Sequence, residues 1–319
     1  MRLSMIAALL LLMVMPARAA ETIRLGLLSF GTVQWEIETM RARRLDAAHG
    51  LRVEPVELAG KDSASVALLA GSVDAIVGDW LWVSRQRAMG HDLTFIPWSV
   101  MTGALLVPEA SPVTSLADLE GKRVGIAGGP QDKGWLLLRA LASRRHGLDL
   151  DRAVDKAFAA PPLLAQQMEA GRLDALLTFW QAAVPLEIKG MRRLVDVAAI
   201  PAQLGIASNP PLLGWIFHRS WADAHDSEIK AFLAAEAETR AAMCAEGFDW
   251  SALDSLTRAA EPRLRNGLRA GFCAGIPAAW GEQERREAEK VFAILARLGG
   301  EDLVGPSPIL QPGTFWTAR

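Results

Sequence analysis

The sequence predicts an α/β protein of two lobes, each a mostly parallel sheet flanked by helices. Three observations lead there. Short apolar or alternating runs of strand type are separated by stretches in which apolar residues recur at helical spacing, the pattern of βαβ units. This layout occurs twice, each time ending in a Gly-x-x-Asp-Ala turn before a buried strand: Gly71-Ser72-Val73-Asp74-Ala75 and Gly171-Arg172-Leu173-Asp174-Ala175. Finally, 319 residues, 51% of them hydrophobic, exceed a usual domain of ~100–200 and supply apolar material for two cores.

Taken in order, Ile23-Arg24-Leu25-Gly26-Leu27-Leu28 alternates and then turns wholly apolar, which predicts a first strand. Ser29-Phe30-Gly31-Thr32 is a turn into a helix over 33–49, with Glu and Arg on its outer face and Gly50 at its end. A second strand follows at 51–58, a short amphipathic helix at 63–69 and a buried strand at 74–78, with a helix starting at Asp79. The second series has a strand at 104–107, a helical turn at 115–119 and a strand at 123–126. Gly128-Gly129-Pro130-Gln131-Asp132 then leads into a helix through Arg145, followed by a strand at 156–158, a helix at 161–169 and a strand at 174–178. Beyond a strand at 214–218, amphipathic helices at 227–244 and 283–298 are placed back on the first lobe, and the tail after Gly299 on the surface. Helices of this length between strands imply right-handed crossovers.

The start of the chain has the form of a secretory signal. Arg2 precedes an apolar run over 6–15, Pro16 breaks it, and Ala17-Arg18-Ala19 offers small residues where a signal peptidase reads. Cleavage after Ala19 or Ala20 leaves a mature chain from near Glu21; the alternative is a buried N-terminal helix. No Cys stands near the cleavage point, so the expectation is a soluble periplasmic protein without a lipid anchor. No second run approaches the ~20 apolar residues of a membrane span. With 34 basic and 36 acidic residues and no block of like charge, nucleic-acid binding and membrane-surface attraction are not indicated.

Cys244 and Cys273 either close a loop as a disulfide or stand as separate buried thiols; sequence leaves both open. There are 11 Trp and no Tyr, and a Trp in a loop suits stacking on planar or cationic ligands. No phosphate-binding loop, nucleophile elbow or His-Glu-x-x-His pair occurs. His218, Asp223, His225 and Asp226 fall together, but as residues of helix starts on a wet surface rather than metal ligands. The expectation is a non-enzyme with no metal and no cofactor.

The segment Ser115-Leu116-Ala117-Asp118-Leu119-Glu120-Gly121-Lys122-Arg123-Val124-Gly125-Ile126 resembles the one that opens the second lobe of ABC-transporter solute-binding proteins. Gly71-Ser72-Val73-Asp74-Ala75-Ile76-Val77-Gly78-Asp79, with Ala88-Met89-Gly90 after it, resembles the nitrate/sulfonate/taurine branch, which includes binders of thiamine pyrimidine precursors. The resemblance implies a type II periplasmic binding protein fold whose chain crosses between lobes twice, near 103–107 and 205–214. The domains would then be a signal peptide at 1–20, lobe 1 at 21–104, lobe 2 at 105–212 and the rest of lobe 1 at 213–319. It implies a monomer that carries a small organic solute, sulfonate/taurine-like or aromatic/pyrimidine-like, to an ABC permease in the inner membrane. A periplasmic sensor or accessory module, or an enzyme on the same fold, is the alternative; the cysteine-rich motif of the thiamine-pyrimidine enzymes is missing here.

In parallel α/β sheets ligands sit at the carboxyl ends of strands, where loops lead into helices. The candidate ligand residues are therefore Ser29, Phe30, Gly31, Thr32 and Trp35; Asp79 and Trp80; Thr102; Gly128, Gly129, Gln131 and Asp132; Phe179 and Trp180. The two glycines let backbone N–H groups approach an anion, or else make a plain turn that Asp132 caps. Asp79 is either a partner for an amine or amidine or a helix cap. Trp35 or Trp80 facing Trp180 from the other lobe would clamp the body of the ligand. Lys61 and Lys133 stand beside these loops and could be merely solvated.

Overall fold

The computed structural model describes residues 21–29 and 31–317. The proposed signal peptide and Phe30 lie outside the described residues. The chain forms β1 (Glu21–Leu28), α1 (Val33–Ala42), α2 (Leu45–Ala48), β2 (Leu51–Leu58), α3 (Lys61–Leu69), β3 (Ala75–Asp79), α4 (Trp80–Ala88) and β4 (Leu93–Ser99). After a first crossing come β5 (Gly103–Pro108), β6 (Arg123–Ala127), α5 (Lys133–His146), α6 (Leu150–Ala153), β7 (Asp155–Ala159), α7 (Pro161–Glu169), β8 (Ala175–Phe179), α8 (Trp180–Ile188), β9 (Met191–Asp196) and α9 (Ile200–Gln203). The chain then returns through β10 (Leu213–His218), α10 (Arg219–Ala224), α11 (Asp226–Cys244), α12 (Asp254–Thr257), α13 (Pro262–Ala274) and α14 (Glu282–Val304). Among the described residues no helix is long and apolar enough to cross a membrane.

Two five-stranded sheets result, ordered β2-β1-β3-β10-β4 and β7-β6-β8-β5-β9. In each, three strands pair in parallel and one strand runs against its neighbours: β10 lies antiparallel between β3 and β4, and β5 between β8 and β9. The antiparallel strand of each sheet is thus the one on which the chain arrives from the other lobe. Both arriving strands begin with a close backbone approach. A Cβ on Gly103 would lie 2.3 Å from the Thr178 carbonyl oxygen, and one on Gly214 would lie 2.1 Å from that of Ile96.

The repeated Gly-x-x-Asp turn has a structural role at the amino ends of the strands. Asp74 accepts from Arg24 N–H at 2.8 Å and returns its own N–H to the Arg24 carbonyl at 2.8 Å. Asp174 repeats the exchange with Arg123 at 2.8 and 2.9 Å. Each carboxylate ties a central strand to the turn before its neighbour, while Gly71 and Gly171 take φ of +69° and +67°.

Three expectations differ from the structure. The helix over 33–49 breaks after Ala42, because Arg44 adopts a left-handed φ of 58° and the chain restarts as α2. β4 and β9 were not anticipated; both are edge strands. The C-terminal helices also do not belong to the first sheet alone. α11 packs on α1 and α2, but α13 lies against α8, and α14 lies against both α4 and α5.

Candidate ligand-binding cleft

The lobes meet where β1, β3, β6 and β8 end. At the end of β3, Asp79 caps α4 by accepting from Trp82 N–H at 3.0 Å with Oδ1. Its Oδ2 accepts from Lys133 Nζ, 2.7 Å away on the other lobe. The two side chains are 17% and 26% exposed, so this is a half-sheltered ion pair across the cleft. Burial alone would raise the Asp79 pKa, but the Lys133 ammonium, helped by the Trp82 N–H and Lys61, more than offsets it and holds the carboxyl below its ordinary value. Burial alone would lower Lys133, and Asp79 holds it above its ordinary value.

At the end of β6, Gly128 and Gly129 take φ of +90° and +84°. A Cβ on Gly128 would fall 2.7 Å from Asp132 Oδ2, so the turn needs glycine there to fold over its own cap. Asp132 Oδ1 accepts from Trp135 N–H at 3.0 Å and starts α5. Burial pushes its carboxyl up, against the pull of the Trp135 N–H, Lys133 and Lys61. Lys61, at the first turn of α3, also acts on Asp79 and stands 5.9 Å from the centre of the Phe179 ring. Two carboxylates and two ammonium groups therefore face one another, one of each sign from each lobe.

The remaining predicted residues divide. Trp35 and Trp180, from α1 and α8, meet edge-on across the lobes at 5.9 Å, both buried. Thr32 is buried beside Trp35 at the start of α1 and caps nothing with its side chain. Ser29 is exposed and bonded to the Leu58 carbonyl, and Gly31 N–H closes the turn on Leu28. Thr102 Oγ1 and Gln131 Oε1 are buried without a hydrogen-bond partner. Trp80 does not face the cleft. Fully buried, it packs on Phe292 and Phe315 and donates Nε1–H to the Pro211 carbonyl at 2.9 Å. The half of the clamp assigned to it is a core residue, because the first residue of α4 turns toward α14.

A cavity of about 490 Å³ opens beside Trp180, between α8 and α13; Met101, Val184, Glu187 and Arg193 help line it. Cys244 and Cys273 are bonded and tie α13 to the end of α11. His218 and His225 are bonded to backbone carbonyls of Leu68 and Trp221, and Asp223 to Arg219. Sequence reasoning passed over Lys133 and Lys61 as ligand-facing groups. A lysine after a helix cap looks solvated until the opposite lobe supplies its carboxylate, and only the position of Lys133 beside Gly128-Gly129 hinted at more.

Two mixed sheets joined by two crossings, with charged loops meeting between them, define the two-lobed periplasmic binding protein fold. A family model described as NMT1/THI5 like matches residues 47–246, and the chain belongs to that family. Among solved structures, the alkanesulfonate-binding protein SsuA from Xanthomonas axonopodis pv. citri, bound to MOPS, is similar over 93% of this chain and 99% of its own, with 18% identity and a TM-score of 0.69. The periplasmic aliphatic sulphonate binding protein SsuA from Escherichia coli is similar over 94% and 93%, with 19% identity and a TM-score of 0.68. The desulfurization enzyme DSZB is similar over 88% and 92%, with 13% identity and a TM-score of 0.59. At these identities the likeness is one of fold. No curated protein sequence matches the chain.

Proposed function

We propose that the protein is the periplasmic solute-binding component of an ABC importer, which closes on a small organic solute between its lobes and presents it to an inner-membrane permease. The observation that carries this reading is the cleft: loops from both lobes bring paired charges and a Trp–Trp contact to the carboxyl ends of the strands, where this architecture receives ligands. The leader-like pattern of the first twenty residues in the sequence and the sulfonate-binding neighbours of the same fold support it. The solute is sulfonate/taurine-like or aromatic/pyrimidine-like.

The test is thermal unfolding of the mature protein against sulfonates, carboxylates, pyrimidines and amines. A ligand that binds only the folded state adds RT ln(1 + [L]/Kd), about 2.7 kcal/mol at a hundredfold excess over Kd. One chemical class should raise the transition; flat curves for all of them would sink the reading. A second reading, an enzyme on this fold, is favoured by the likeness to DSZB. Recovery of the bound solute chemically unchanged after prolonged incubation decides between them.

A further inference from the structure

The sign balance of the cleft narrows the solute, on the reading that the protein is a solute carrier. We infer that the solute is dipolar, with a cationic group that takes Lys133's place at Asp79 and an anionic group that takes Asp79's place at Lys133. In the structure described here, these two residues are each other's partner across the lobes at 2.7 Å. Any ligand seated between them separates them. An anion alone would pair with Lys133 and leave the sheltered Asp79 carboxylate with the Trp82 N–H as its hydrogen-bond donor and only the unbonded Lys61 charge nearby. A cation alone would satisfy Asp79 and leave Lys133 without a hydrogen-bonded carboxylate, with only the unbonded Asp132 charge nearby. Leaving one half of a sheltered pair uncompensated is the costly case, whereas replacing both partners is not.

The surroundings agree. Lys61 and Asp132 add one more ionisable group of each sign, so the set Asp79, Asp132, Lys61 and Lys133 is balanced in formal charge and favours neither a plain anion nor a plain cation by a large net charge. The acid end of a dipolar solute falls by Lys133, next to the glycine turn at 128–129, and the amine end by Asp79. The pair is therefore an internal stand-in for the ligand's own two charges, and it selects against plain alkanesulfonates and plain amines.

Titration calorimetry on the mature protein tests this with matched probes: 2-aminoethanesulfonate and 4-aminobutyrate as dipoles, ethanesulfonate and butyrate as anions, ethylamine and butylamine as cations. At least one dipole should bind about tenfold more tightly than both of its single-charge analogues, about 1.4 kcal/mol. Asp79→Asn keeps the helix cap and should erase the preference over the anion. Lys133→Gln should erase the preference over the cation. Thermal unfolding of each variant confirms that it folds. An anion or cation that binds as tightly as its dipole, or a preference unmoved in both variants, overturns the inference while leaving the carrier reading in place. Silence from all six probes also overturns it, and the carrier reading falls only if the wider panel of aromatic and neutral solutes is silent too.

Discussion

Among single residues, the most demanding electrostatics lie behind the cleft rather than in it. Glu36 and Glu236 are both buried and share Arg240, whose guanidinium reaches Glu36 at 3.1 Å and Glu236 at 2.8 Å. Trp98 and Trp215 donate their indole N–H groups to Glu36 and Glu236 at 2.9 and 2.6 Å. One arginine cannot balance two carboxylates, and burial with the neighbouring Glu36 pushes Glu236 from 4.5 up to about 8. Glu236 thus keeps its proton at neutral pH. Because its folded pKa is raised, its favourable contribution is complete below about pH 4.5 and is lost as pH rises through about 8. Over that window stability should fall with rising pH by at most about 1.4 kcal/mol per unit. Glu236→Gln, which keeps a neutral acceptor for Trp215 and Arg240, should flatten this slope and raise the melting temperature relative to the parent on the alkaline side. Parallel slopes in both proteins would refute the assignment. Arg240→Met, by contrast, strands the Glu36 carboxylate and should cost about 3–5 kcal/mol in urea unfolding at neutral pH.

Within elements, α13 shows how a helix can serve both lobes. Its Gly267 and Gly271, and Gly275 just past its end, lie four residues apart, and a Cβ on each would come within 2.6 Å of Val184, 2.5 Å of the Trp180 ring and 2.8 Å of Met101, respectively. The opposite attachment is Cys273, bonded to Cys244 at the end of α11. The bond spans a sequence separation of 29, so opening it should cost about 3.5 kcal/mol through the freed loop of the unfolded chain. Denaturation with and without a thiol reductant reads this directly; coincident curves would show that helix packing alone holds α13. Elements were legible in the sequence where local chemistry and tertiary role agree. β1, β3, β6 and β8 are central and apolar, so their pattern survives folding. β4 contains Pro97 and β9 the pair Arg192-Arg193, features that argue against a central strand and that an edge tolerates. The candidate site was legible as loops at strand ends. Trp80 was misplaced and Lys133 passed over because the first residue of a helix can turn inward or across, and only its tertiary partner decides.

At the scale of the whole molecule, three side-chain contacts join the lobes at the strand ends, beside the packing of α13 and α14: the Asp79–Lys133 pair, Lys61 at the Phe179 ring, and Trp35 against Trp180. They differ in what their loss would do. Trp35 also packs on Trp250 and Phe272, so its removal would weaken the first lobe itself and report poorly on closure. The ion pair is the cleaner probe, since Lys133→Gln removes the charge, keeps a polar end and shortens the side chain without opening a core. A half-sheltered pair of this exposure should contribute about 1–2 kcal/mol, between the values for surface and buried pairs. That corresponds to a roughly five- to thirtyfold change in the ratio of closed to open molecules. Small-angle scattering of the ligand-free protein should therefore give a larger radius of gyration for Lys133→Gln than for the parent. An unchanged radius would show that apolar packing, Trp35 on Trp180 together with α13 and α14, and not the charge pair, holds the lobes together. Closure would then be governed by apolar contact, and the ion pair would act on ligand choice alone.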